Sequence, residues 1–114
     1  MQDWEQQERA MAERAQRAQA QAAQALERLL RHAETGSGGQ MRYVARFIAA
    51  TFDGATFPFN PFELRALDVS ISDDMLACLD ALRWGKADLY KLVPEGEERI
   101  LAVCKAWGLE WPDN

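Results

Sequence analysis

The chain has 114 residues, 48% of them hydrophobic and 27% charged, with a formal net charge of −5. That length is one domain's worth, and no apolar run approaches the roughly 20 residues that cross a bilayer, so no membrane partner is expected. The negative balance argues against direct nucleic-acid binding, which is driven by basic surface.

The charge is unevenly spread. Residues 1–33 hold five acids and five arginines, whereas residues 34–114 hold thirteen acids and eight bases. The opening MQDWEQQERA has no apolar stretch behind a basic leader, as a secretion signal requires, so a cytoplasmic location is expected. Cys78 and Cys104 are too few for a disulfide framework and lack the spacing of a metal or redox site. Both fall in apolar helical patterns and read as reduced core residues. Neither a metal nor another cofactor is expected.

From Asp3 to Glu34 there is neither Gly nor Pro, and Ala, Gln, Glu and Arg dominate. These are good helix formers, which predicts one helix of about 30 residues, roughly 45 Å long. Asp3 and Gln6 have the spacing of an N-terminal cap. A seam of Trp4, Glu8, Met11, Ala15, Ala18, Ala22, Ala25 and Leu29 alternates steps of four and three, as in a coiled coil. Its alanines bury little area each, so only the end, with Leu26, Leu29, Leu30 and Ala33, is assigned to the core. The first two-thirds of the helix are expected to project as an arm. Arg14, Arg17, Arg28 and Arg31 share another face, which reads as solvated and supported by the pairs Glu5–Arg9, Glu13–Arg17 and Glu27–Arg31.

The segment TGSGGQMR could be a phosphate cradle or a hinge. It lacks the Gly-Lys-Ser/Thr ending of a phosphate loop and has no preceding strand. Gly36 reads as a left-handed helix stop, and Ser37 with Gln40 as the capping box of the next helix. His32 reads as a favourable group at a helix C-terminus. The segment is therefore a hinge, dividing the chain into an arm (1–34), a hinge (35–39) and a body (40–114).

In the body, Met41, Val44, Ile48 and Phe52 mark one helical face, with Phe47 beside it. Asn60, Pro61 and Glu63 supply the cap, first-turn proline and capping glutamate of a short helix through Leu67. Phe57, Phe59 and Phe62 are expected mostly to plug the core, any exposed member marking a partner site. A third helix carries a stripe of Ile71, Met75, Cys78, Leu79 and Leu82 and ends at Gly85. Asp73 and Asp74 invite an acid–base reading, but neighbours on a helix do not face each other. With Ser70 they read instead as first-turn capping. A turn broken at Pro94 leads to a last helix opened by Glu97 and Glu98, with Ile100, Leu101, Cys104 and Trp107 inward, and Trp111 folds back on the body. No strand pattern appears, so the fold is all-α, a bundle of about four to five helices.

The segments ALERLLRHAETGSGGQMRYVARFIAATFDG, FPFNPFELRALDVSISDDMLACLDALR and PEGEERILAVCKAWG carry a resemblance. Over roughly residues 25–108 they resemble an uncharacterised small helical bacterial domain of plasmids, integrative elements and prophage-like regions. Its marks are Thr35-Gly36 with Gln40 and Arg42, Leu67-Asp68, and the run from Asp73 to Leu76. The resemblance implies no catalytic residues.

The leading expectation is a non-enzymatic protein–protein interaction protein. If the resemblance holds, it is an accessory factor that inhibits a host defence complex, similar in kind to anti-CRISPR proteins. Acidic residues Asp68, Asp73, Asp74 and Asp80, with Phe57, Phe59 and Phe62, are its candidate contacts to basic nucleic-acid-binding grooves. The alternative is a self-associating structural or assembly protein, a homodimer pairing two arms through the alanine seam, with Trp4, Met11, Arg14 and Arg17 as arm contacts. A small enzyme using Asp68, Asp73, Asp74 and Arg42 ranks third, and a nucleic-acid binder using the four arginines of the first helix ranks fourth.

Overall fold

The computed structural model of the chain describes residues 2–112. The long predicted helix is present as α1 (Gln2–Thr35), and at 1.5 Å per residue it accounts for the 53 Å longest dimension of the molecule. Three shorter helices follow, α2 (Gly39–Phe52), α3 (Val69–Trp84) and α4 (Gly96–Ala106), with 3-10 helices at Pro61–Ala66 and Leu89–Leu92. The described residues contain no strand, and the fold is all-helical as the periodicity predicts.

α3 is the main partner of α1, and α2 and α4 close the core from the other sides. Leu26, Leu29 and Leu30 of α1 are fully buried with Val44, Phe47 and Ile48 of α2, Met75 and Cys78 of α3, and Ile100 and Cys104 of α4. At roughly 1.5–3 kcal/mol per large side chain, this cluster is the principal stabilising term.

The projecting part of α1 is much shorter than its composition suggests. Ala15, Ala18, Ala22 and Ala25 are all buried, so the body covers the helix back to Ala15. Small side chains let two helices approach closely, and each alanine is then covered by backbone and side chains of its neighbour. The seam that looked too weak to pack is the α1 side of the bundle.

The hinge also differs from its expected chemistry. α1 ends with the Gly36 amide donating to the His32 carbonyl at 2.8 Å. Gly36 is not left-handed; a Cβ there would lie 2.6 Å from that carbonyl oxygen and 2.7 Å from Cγ of Met41. The positive φ, 96°, belongs to Gly38, which caps α2 without any side-chain bond. Ser37 is not the cap, because the helix starts two residues later. Gln40 turns instead to the body, where its Oε1 accepts from the Asp68 amide at 2.9 Å.

Several predicted devices appear as read. Asn60 caps the first 3-10 helix, its Oδ1 accepting from the Phe62 amide at 3.0 Å. Glu97 and Glu98 occupy the first turn of α4. Trp111 folds back, donating to Asp53 Oδ2 at 2.8 Å and setting its ring edge-on to Phe57. Two inward assignments do not hold. Leu82 is 47% and Leu101 41% exposed; at the end of α3 Ala81 is buried instead of Leu82, and α4 instead buries Val103.

One ion-pair hub joins the C-terminal part of α1 to α4. Arg99 of α4 donates from both terminal nitrogens to Glu27 at 2.8 Å, and through Nε to Glu34 at 2.9 Å. Its side chain is 19% exposed. The hydrogen bonds from Arg99 are the largest cause that holds the Glu27 carboxyl down to about 2, while the same bonds raise Arg99 above its ordinary value. The sign follows from the lowered carboxyl. The stability is complete above the ordinary value of 4.5 and is lost as pH falls from there toward 2. Arg99→Met is expected to lower stability by about 2 kcal/mol at neutral pH, short of a fully buried pair because water reaches the rim. Urea midpoints across that acid window should fall steeply for the parent chain and remain flatter for the variant.

Candidate functional site

The residues singled out for acid chemistry do not converge. Asp74 is buried and held by Arg28, which donates from Nε at 3.0 Å and from Nη2 at 2.8 Å. It is neither a first-turn cap nor a surface contact. The start of α3 explains the misreading: Asp68, not Ser70, is the residue before the first turn, which contains no acid. The Asp68 carbonyl accepts from the amides of Ile71 and Ser72, each at 3.0 Å. Asp73 is exposed, and Asp80 pairs with Arg83 at 2.7 Å one turn along α3. Arg42 and His32 are exposed. The hollows of about 520, 370 and 300 Å³ are lined by none of these acids, nor by Arg42 or His32.

The aromatic triplet divides. Phe57 is buried against Trp111, and Phe59 sets its ring edge-on to Phe47 at 5.2 Å. Phe62 alone stands in solvent, at 71% exposure. On α1, Trp4 and Met11 are exposed, as is Arg17. Arg14 lies with its guanidinium 5.7 Å from the ring centroid of Trp84, and Arg83 lies 5.3 Å from the same ring. Of the basic stripe, Arg28 and Arg31 are tied to Asp74 and Glu27.

Both cysteines are buried free thiols. Burial, reinforced by Asp74, pushes the Cys78 thiol up to about 12, and burial raises that of Cys104 as well. A thiol so held is not a nucleophile at neutral pH. Among the described residues no three His, Cys, Asp or Glu side chains are grouped as metal ligands. No helix among them is long and apolar enough to cross a membrane.

What remains in the open is a stripe that the buried pattern of α3 concealed. Val69, Asp73, Leu76, Asp80 and Arg83 follow steps of four and three along the outer face. Val69 is 74% and Leu76 52% exposed, flanked by the carboxylates of Asp73 and Asp80. The spacing is present in the sequence, where Val69 and Leu76 are indistinguishable from core residues of the inward stripe. Asp53 reads in the sequence only as the stop of α2, and it is the C-cap there. It accepts from the Thr56 hydroxyl and the Trp111 indole, and those bonds hold its carboxyl below the usual range.

No curated protein and no solved structure matches the chain. A family model does, over residues 23–108, from the last turns of α1 through the end of α4. That span covers the whole helical body and most of the chain, and the chain therefore belongs to the family of unknown function DUF7673.

Proposed function

We propose that the protein is a non-enzymatic interaction protein, and that the outer face of α3 is where a protein partner docks. The observation that carries this reading is the alternation of exposed Val69 and Leu76 with Asp73 and Asp80 along one helix. Two exposed branched side chains two turns apart supply desolvation, while the carboxylates of Asp73 between them and Asp80 beyond them steer a basic surface into register. Arg83 neutralises part of the charge at the far end, so Asp73 with Asp68 forms the more acidic end.

A basic groove with an apolar floor fits such a stripe, and nucleic-acid-binding proteins present grooves of that charge. In its specific form, the reading is of an accessory factor of plasmids, integrative elements or prophage-like regions. There it blocks a host defence complex as anti-CRISPR proteins do. The lack of convergence of Asp68, Asp73, Asp74 and Arg42 favours this over a small enzyme.

The test is affinity capture from the native host with the tagged chain and with a Val69→Ser, Leu76→Ser, Asp73→Lys variant. All three positions are on the outer face of α3, so circular dichroism should be unchanged. A stoichiometric partner is expected, with at least tenfold weaker retention by the variant. Equal retention by both chains would overturn the assignment of this face, and recovery of no protein would overturn the interaction reading itself.

A further inference from the structure

The stripe of α1 that the body covers does not end where the cover ends. Ala15, Ala18, Ala22 and Ala25 are buried, and the same steps continued toward the N-terminus give Met11, Glu8 and Trp4. Met11 is 57% and Trp4 64% exposed. Immediately beside Met11, α1 and the end of α3 enclose an open hollow of about 520 Å³, lined by Glu8, Met11, Ala12, Trp84 and Lys86. Arg14 lies over Trp84 at its edge.

We infer that this hollow receives Trp4 of a second copy of the chain, the two N-terminal ends of α1 crossing antiparallel. Three features argue for this occupant. The first is register. Trp4 and Met11 are seven residues apart, two turns or roughly 10 Å along the axis, and Trp4 does not line the hollow of its own helix but stands 64% exposed one turn before Glu8 at its rim. An antiparallel copy that sets its Trp4 against Met11 offers its own Met11 and hollow to the first Trp4. One twofold axis therefore fills both hollows with identical contacts.

The second is charge. Asp3 and Glu5 flank the incoming Trp4, and Arg14 and Lys86 flank the hollow it enters. Antiparallel crossing brings these opposite signs together and leaves only Glu8 near its own copy beside the twofold axis, whereas parallel crossing sets Asp3, Glu5 and Glu8 all against their own copies. The third is continuity, because the second copy extends over the same stripe that α3 covers from Ala15 onward.

An indole buries about 150–250 Å², so two of them with two methionines make a small interface, of the kind that forms reversibly. The inference is independent of the α3 reading: the stripe of Val69 and Leu76 is on another surface, and either can fail alone. Light scattering or sedimentation of the full chain up to about 1 mM is expected to show the mass rising from 12.9 kDa toward twice that value.

Trp4→Ala, which removes an exposed side chain, should abolish the rise while leaving helicity unchanged. Lys86→Glu should weaken association at least tenfold, and Glu5→Lys added to it should restore most of the loss. A parent chain that stays monomeric over the whole range would overturn the proposal. So would a dimer that Trp4→Ala leaves intact, or a charge reversal that Glu5→Lys does not rescue. In all these variants retention of an α3-face partner should be unchanged.

Discussion

Gly96→Ala is expected to destabilise the protein by at least about 3 kcal/mol, more than alanine at any other glycine of the chain. A Cβ at Gly96 would fall 1.8 Å from the Tyr90 carbonyl oxygen and 2.8 Å from its carbon, with Cγ2 of Val93 at 3.0 Å. Neither backbone atom is the movable end of a side chain. The Tyr90 carbonyl belongs to the 3-10 helix Leu89–Leu92, whose Leu89 is buried in the core, and Gly96 itself is buried.

The turn between them is already tight. Glu95 is the one described non-glycine residue with positive φ, 55°, a conformation that costs about 1 kcal/mol or more. The Gly96 amide closes the turn on the Val93 carbonyl at 3.2 Å. Relief would require α4 to move away from the 3-10 helix, which opens the contacts of Ile100 and Cys104. Inserting atoms into a packed site typically costs 1–3 kcal/mol and more where the backbone is the obstacle. Urea unfolding followed by far-ultraviolet circular dichroism measures the loss. Gly39→Ala is the control, since no atom lies within 4 Å of its Cβ position, and it should change stability by less than about 0.5 kcal/mol. A Gly96→Ala chain with the parent's midpoint would contradict the packing of α4 against Tyr90.

Ala22→Leu is expected to destabilise by about 3 kcal/mol, although it adds apolar surface to a helix with few large apolar residues. Ala22 has no exposed area, and its neighbours on the seam, Ala18 and Ala25, are equally enclosed by the body. The extra carbons have no void to enter, so α1 and α3 must separate and loosen the pairing of Arg28 with Asp74. For a domain of this size the loss corresponds to roughly 10–15 °C in Tm.

Ala20 is the natural comparison, being exposed two residues away on the same helix. Ala20→Leu should leave Tm within a degree or two, because Ala and Leu differ little in helix propensity. If the first two-thirds of α1 projected free of the body, both substitutions would behave alike. Differential scanning calorimetry on the pair therefore separates a buried seam from a free arm in one experiment.

The contrast between Ala22 and Ala20 shows where sequence reading stops. That both residues lie in one long helix follows from their neighbours: no Gly or Pro interrupts residues 3–34, and helix formers fill the span. The starts and stops were legible for the same reason where a cap is chemically specific, as at Asn60, and less so where backbone geometry alone does the capping. Gly38 caps α2 through its φ and no side chain, so the Ser37–Gln40 pattern misled. Asp74 looked like a cap because it lies near the start of α3, yet its partner is Arg28, 46 positions earlier.

The candidate surfaces divide in the same way. The seven-residue spacing of Val69 and Leu76, and of Trp4 and Met11, is present in the letters. Their exposure is not, since an apolar residue at helical spacing reads equally well as core.

Helix formation depends on residues within a turn or two, so the sequence alone determined the all-α class, the long first helix and the approximate limits of the others. Which alanines are covered, which leucines are not, and which arginine meets which carboxylate depend on elements that arrive from far along the chain. Arg99 reaches Glu27 across 72 positions, and no local pattern encodes that meeting. Tertiary structure decided it because burial is set by the shape of the facing surface, and that surface exists only once the helices have packed.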